Sequence, residues 1–145
     1  MCFTSICNSC QYFADFAAGN QMNQLADARQ FIVVYPQQTT LNNPTACWNW
    51  FVPADQSRGS GEPAILAGIV QTVEQNTSRW SIDTNRVYVA GAVMSIILGV
   101  TYSDLFAAIG VAAGGEYPAA TNPMSAGIGE VFGGPDPTRQ GQGAL

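Results

Sequence analysis

The sequence predicts an α/β fold: a mostly parallel sheet flanked by helices, built as one domain over 145 residues. Three stretches carry this reading. Phe31-Ile32-Val33-Val34-Tyr35 is an unbroken apolar run closed by Pro36, the pattern of a strand buried on both faces of a parallel sheet. Val87-Tyr88-Val89-Ala90-Gly91 is a second β-rich run, bounded by Asp83-Thr84-Asn85, and it passes without pause into Ala92–Asp104, which reads as a core-facing helix. Between the two runs lies an amphipathic stretch of the length a right-handed crossover needs.

Taken in order, Met1–Cys10 shows no clear period. From Gln11 to Gln30 the apolar residues Phe13, Phe16, Ala17, then Met22, Leu25 and Ala26 recur at helical spacing, interrupted by Gly19-Asn20. A short helical turn and then a helix from Asn20 to Ala28 are expected, with Phe13 and Phe16 in the core. The strand Phe31–Tyr35 is followed by a polar loop, Gln37–Ala46, and by Cys47-Trp48-Asn49-Trp50-Phe51, three aromatics in five residues. Such a cluster reads first as a plug closing a loop over a core.

Asp55–Glu62 is polar and glycine-containing, and Gly59-Ser60-Gly61-Glu62-Pro63-Ala64 superficially fits G-x-G-x-x-A. A dinucleotide fingerprint must follow a strand directly, and none ends at Arg58. Instead Pro63 suits a first helical turn, and Glu62 suits the positive end of the helix dipole. Ile65, Leu66, Ile69, Val70 and Val73 then mark an apolar face on a helix running to Asn76. Asp83 stands before the second strand and reads as a turn residue. Phe106–Ala113 reads as another buried strand, ended by Gly114-Gly115-Glu116-Tyr117-Pro118, and Ala119–Leu145 as a Gly-, Pro- and Ala-rich tail. In that tail Pro123 precedes Met124-Ser125-Ala126-Gly127, so its S-x-G reads as loop.

Composition removes several function classes. Hydrophobic residues make up 47% of the chain and charged residues 10%, so it is neither a disordered tail nor a basic nucleic-acid binder. A net charge of −5 disfavours phosphate backbones and anionic membranes as partners. No apolar run approaches the ~20 residues of a membrane span. Above all there is no histidine. A Ser-His-Asp or Cys-His site needs an imidazole to take and return a proton near neutral pH. This chain cannot build one by itself.

The joint after Gly91 is where a three-layer α/β enzyme displays a nucleophile, on a turn of pattern G-x-S-x-G. Here Val93 follows two residues after Gly91, no serine appears until Ser95, and Ile97 stands where a second glycine is needed. The flanking residues resemble a known family all the same. Val87–Gly91, Met94–Gly99 and Thr101–Gly110 resemble the secreted esterases of the poly(3-hydroxybutyrate) depolymerase family. So do Phe13–Gly19, Phe31–Pro36, Cys47–Phe51, Arg58-Gly59-Ser60-Gly61-Glu62-Pro63 and Gly133-Gly134-Pro135-Asp136-Pro137.

That resemblance implies an α/β-hydrolase fold and acyl transfer from esters or polyesters, needing no cofactor. Against the family pattern the elbow looks deleted by about four residues. This removes one helical turn and leaves the apolar stripe rotated by only ~40°. The turn would then be rebuilt from Gly91-Ala92-Val93-Met94, where β-branched Val93 tolerates positive φ poorly. Ser95 is expected to be a helix residue. The family's His-Gly-Cys strand end has no match near Thr4-Ser5-Ile6, so one oxyanion donor is in doubt. The family's aspartate and histidine would follow beyond Leu145, and Glu116 lacks a base to orient.

The chain is therefore expected to be a truncated, single partial domain over residues 1–145, with no catalytic residue matched, unable to hydrolyse esters alone. The resemblance places Trp48, Asn49 and Trp50 beside the acyl site, as substrate-binding candidates. An alternative is a non-catalytic polymer- or ligand-binding remnant presenting Trp48 and Trp50. Family membership implies an extracellular protein, although no leader is visible at Met1–Cys10. Cys2, Cys7, Cys10 and Cys47 match the plant-type iron–sulfur spacing C-x4-C-x2-C…C, a remote alternative. The plainer reading is thiols of which one pairs with Cys47 in an exported protein. Metal ligands are not otherwise suggested.

Overall fold

Four parallel strands form one sheet in the order β2-β1-β3-β4. The computed structural model describes residues 2–5 and 13–112. The chain runs β1 (Cys2–Ser5), α1 (Phe13–Gly19), α2 (Met22–Arg29), β2 (Val33–Val34), a 3-10 turn (Pro53–Gln56), α3 (Gly61–Gln75), a second 3-10 turn (Thr84–Arg86), β3 (Tyr88–Gly91), α4 (Val93–Thr101) and β4 (Ala108–Val111).

The strand order sets the layers. From β1 the chain steps one way to β2, then back across β1 to β3, and onward to β4. Right-handed crossovers in opposite directions put their helices on opposite faces. So α1 and α2 lie on one face, with α2 against β2, while α3 and α4 pack together on the other. Pro63, Leu66, Ala67 and Val70 are the buried apolar residues of α3, at spacing i, i+3, i+4, i+7. Leu66, Ala67 and Val70 meet Val87 and Val89, and Val93, Met94, Ile97 and Leu98 of α4, in one core with Tyr102 and Phe106.

Several sequence expectations need correction. Met1–Cys10 shows no period, yet Cys2–Ser5 is a strand paired on both sides, with β2 and with β3. Four residues are too few for a period to emerge. The Phe31–Tyr35 run yields only Val33–Val34 as strand, half-buried and at the sheet edge rather than covered on both faces. The helix expected over Asn20–Ala28 spans Met22–Arg29, because the Asn20 side-chain oxygen accepts the Met22 N–H at 3.0 Å and starts it there. It buries no residue. Phe16 is half-buried and packs edge-on against Tyr35, with ring centroids 6.0 Å apart. Ile65 is 61% exposed, one residue off the buried stripe of α3. The strand expected over Phe106–Ala113 is Ala108–Val111, and every residue in it is exposed, since β4 is the other edge of the described sheet.

Candidate active site

In an open parallel sheet, ligands sit outside the carboxyl ends of the strands where the winding reverses. That point lies here between β1 and β3. Ser5 is in register with Gly91, and Gly91 with Val111, so the three strand ends form one rim. At its centre a single residue, Ala92, joins β3 to α4.

Ala92 has φ −92° and ψ −136°. The joint therefore avoids the left-handed region, and Val93, expected to resist such a turn, is already the first helical residue. Ala92 itself is buried and brings only a methyl group to the rim. Ser95 lies one turn on, wholly buried, and its Oγ donates to the Ala92 carbonyl at 2.6 Å. Ala92 offers no hydroxyl at the joint, and Ser95, the first serine of α4, faces the protein interior.

The aromatic segment packs inward. Trp48 and Trp50 are 6% and 7% exposed and belong to the hydrophobic core. Both indoles are packed inside, where large apolar area is removed from water, as the reading of the segment as a plug over the core expects. Gln56 Nε2 donates to the Trp50 carbonyl at 2.9 Å and ties the aromatic segment to the Pro53–Gln56 turn. Between the indoles, Asn49 turns to Glu62. Its backbone N–H donates to Glu62 Oε2 at 2.6 Å and its Nδ2 to Oε1 at 2.7 Å.

Glu62 is the residue that sequence reading undervalued. It does stand in the first turn of α3, but it is only 3% exposed and gathers four donors. Besides the two from Asn49, Oε1 accepts Gln38 Nε2 and, at 3.0 Å, Asn42 Nδ2. Desolvation raises its pKa from 4.5 to about 6, opposed by the hydrogen bonds from Asn49 and Gln38 and reinforced by the nearby Asp55 carboxylate. Asp55 is itself buried, and its Oδ1 accepts the Glu62 N–H at 2.6 Å. The only sequence signal was an acid next to a helix start, with amide side chains upstream that no spacing rule connects to it.

The Arg58–Gly61 turn is held from both ends. Arg58 donates to the Thr101 carbonyl at 2.9 Å, pairs with both carboxylate oxygens of Asp104, and stacks 4.5 Å above the Tyr102 ring. Gly59 N–H donates to Tyr102 Oη at 2.9 Å. Gly61 has φ +56°, and a Cβ there would stand 2.0 Å from Asp55 Oδ1. Only glycine lets this turn bring α3 so close to Asp55.

Asp83 receives the Asn85 N–H at 3.0 Å and caps the second 3-10 turn, away from the rim. Cys47 is disulfide-bonded. Cys7, Cys10, Glu116, Ser125 and Gly133–Pro137 lie outside the described residues, as do the side chains of Cys2 and Phe13. Among the described residues, no group of three or more His, Cys, Asp or Glu could hold a metal ion, and no helix is long and apolar enough to cross a membrane.

Comparison with known proteins gives the arrangement its lineage. The chain is 43% identical over 106 residues to poly(3-hydroxyalkanoate) depolymerase C of Paucimonas lemoignei, covering 70% of this chain and 25% of that one. It is 35% identical over 108 residues to an acetylxylan esterase of Coprinopsis cinerea, covering 72% and 27%. Against feruloyl esterase B of Thermothelomyces thermophilus it is 32% identical over 113 residues, covering 75% and 37%. The chain thus spans 25–37% of the length of these curated relatives. The structure superposes on an acetyl xylan esterase from Aspergillus awamori with a TM-score of 0.71 at 22% identity, over 86% of this chain and 44% of that one, which shows an α/β-hydrolase fold. The model of the family described as esterase PHB depolymerase matches residues 1–132, and the chain belongs to that carboxylic ester hydrolase family.

Proposed function

We propose that this chain is the scaffold portion of a carboxylic ester hydrolase and, as a 145-residue polypeptide, does not turn over esters. One observation carries the reading: the joint between β3 and α4 is Ala92, with Ser95 turned inward to its carbonyl. In acyl transfer a hydroxyl attacks the ester carbonyl, an imidazole moves its proton, and backbone amides hold the oxyanion. This chain has the strand and helix that would carry the attacking group, but neither the hydroxyl at the joint nor any imidazole. The substrates of the whole protein would be esters or polyesters, the chemistry named for its relatives. An extracellular setting agrees with the disulfide at Cys47, since such bonds persist in oxidising compartments. That bond also withdraws Cys47 from the thiolate set an iron–sulfur cluster would need.

Purified protein incubated with p-nitrophenyl butyrate tests the proposal. Release at the buffer rate supports it; turnover abolished by a serine-directed phosphonate would overturn it. In this reading Trp48, Asn49 and Trp50 serve the substrate side by packing and positioning. Titration with hydroxybutyrate oligomers should leave tryptophan emission flat, and saturable quenching would return the segment to the role of a binding platform.

A further inference from the structure

We infer that the cleft between α2 and the start of β3 is a binding site for a small amphiphilic carboxylate, an apolar chain with one negative head. The cleft lies where β2 and β3 begin, at the end of the sheet opposite the rim formed by Ser5, Gly91 and Val111. Its volume is about 810 Å³, within the roughly 300–1,000 Å³ usual for small-molecule sites. One wall is α2, from which Met22, Leu25 and Arg29 line the cleft at spacing i, i+3, i+7, a single helical face. That helix buries none of its residues, and Leu25 is 46% exposed. Phe31 continues the lining just before β2, and Tyr88, the first residue of β3, joins it at 38% exposed. Large apolar side chains thus border a space open to water, a cost that an apolar body filling the space would remove.

Charge selects the head group. The chain holds five arginines against ten acids, yet two of the five, Arg29 and Arg86, line this one cleft. Arg29 stands in the last turn of α2 and Arg86 in the 3-10 turn before β3. The acid among the lining residues is Asp83, whose Oδ1 already accepts the Asn85 N–H at 3.0 Å and Asn85 Nδ2 at 3.3 Å. Two guanidinium groups less one carboxylate leave +1 on the walls of this cleft, in a chain whose total is −5. A monoanion matches that charge, whereas a phosphate monoester, at about −1.5 to −2, overshoots it. The planar fork of a guanidinium also fits the two oxygens of a carboxylate. Arg86 is already engaged within the fold, so Arg29 grips the head and Arg86 adds its field. The apolar chain is left to Leu25, Phe31 and Tyr88. Nothing in this site depends on the Ala92 joint, or on whether the chain turns over esters.

Octanoate is the probe, added to the full chain labelled for NMR. Titration should move the amide signals of Leu25, Phe31, Ile82 and Tyr88 along saturable curves and leave those of Gly91, Ala92 and Val111 in place. Acetate carries the head without the chain, and octanol the chain without the head. Each should bind at least on the order of tenfold more weakly than octanoate. High salt should weaken octanoate and spare octanol. Arg29→Gln should weaken octanoate by a similar factor and leave octanol unchanged, a split that general loosening of the fold would not produce. Signals that move without saturating, or that move across the whole sheet, overturn the inference. So does octanol binding as tightly as octanoate, or Arg29→Gln binding octanoate like the parent. Should that variant fail to fold, the comparison of octanoate, acetate and octanol on the unaltered chain still decides.

Discussion

Ser95 Oγ and the Ala92 carbonyl oxygen lie 2.6 Å apart, so the first serine after the strand-to-helix joint donates its hydrogen bond to the backbone of the joint itself. A hydroxyl committed this way, wholly buried and one turn into α4, is a helix side chain bonding back along its own helix. Ser95→Ala should therefore cost about 1 kcal/mol or less, the range of one intramolecular hydrogen bond offset by better helix propensity. A urea transition measures this directly. A fluorophosphonate probe should leave Ser95 unlabelled in the folded protein, and labelling at Ser95 by peptide mapping would contradict the assignment.

Restoring a hydroxyl at the joint should not restore chemistry. Ala92→Ser would put an oxygen at the rim formed by Ser5, Gly91 and Val111, but the chain has no imidazole to deprotonate it. Hydrolysis of p-nitrophenyl butyrate by this variant should match the parent within error. A phosphonate-sensitive rate in Ala92→Ser would mean that some other group takes the proton, and would place the missing base among residues not assigned that role.

The fold was legible where residues make long, one-sided patterns. Leu66 and Val70, with half-buried Ile69 and Val73, mark the covered face of α3 in the sequence, and Val87–Gly91 running into Ala92–Asp104 shows β3 and α4. It was illegible where burial depends on neighbours. The run Phe31–Tyr35 looks doubly buried, yet its strand is an edge whose exposure is set by what lies beside it. Ile109 and Val111 are likewise 42% and 48% exposed in a stretch that reads as core. At the site, the absence of histidine and of G-x-S-x-G could be read directly. The role of Glu62 could not, because Gln38, Asn42 and Asn49 meet it only after the loop has folded over α3.

Gly61 should be intolerant of any side chain. At φ +56° an L-residue is disfavoured, and the new Cβ would meet Asp55 Oδ1 at 2.0 Å and the Ala54 carbonyl oxygen at 2.8 Å. Gly61→Ala should destabilise by roughly 2–4 kcal/mol, combining left-handed strain with overpacking against backbone. The urea midpoint should fall with an unchanged slope. Gly59→Ala, also at positive φ but with open space around it, should cost less, and equal losses would show that packing against Asp55 is unimportant.

Arg58 and Asp104 should contribute a salt-sensitive link between the turn before α3 and the end of α4. The hydrogen bond from Arg58 holds the Asp104 carboxyl below its ordinary value, so its contribution is present above that value and is lost as pH falls through the lowered one. Both side chains are well exposed, so the effect should be small. The difference in urea midpoint between parent and Asp104→Asn should shrink in high salt and again in strong acid. A difference indifferent to both would assign the link to packing of Arg58 on Tyr102 alone.

Trp48 and Trp80 should separate packing from surface decoration. Trp48 is inside the core cluster, whereas Trp80 is half-buried, with its indole N–H donating to the Val73 carbonyl at 3.0 Å and Arg79 stacked at 5.3 Å. Removing a buried indole leaves a large cavity that the surroundings cannot fill, so Trp48→Ala should cost about 3–5 kcal/mol. Against the marginal stability usual for folded proteins that is close to the whole margin, and loss of the cooperative unfolding transition is the expected extreme. Trp80→Ala should cost clearly less. If instead Trp48→Ala left the urea midpoint unchanged, the indole could not be closing the core, and the case for exposed aromatic recognition at Trp48, Asn49 and Trp50 would stand again.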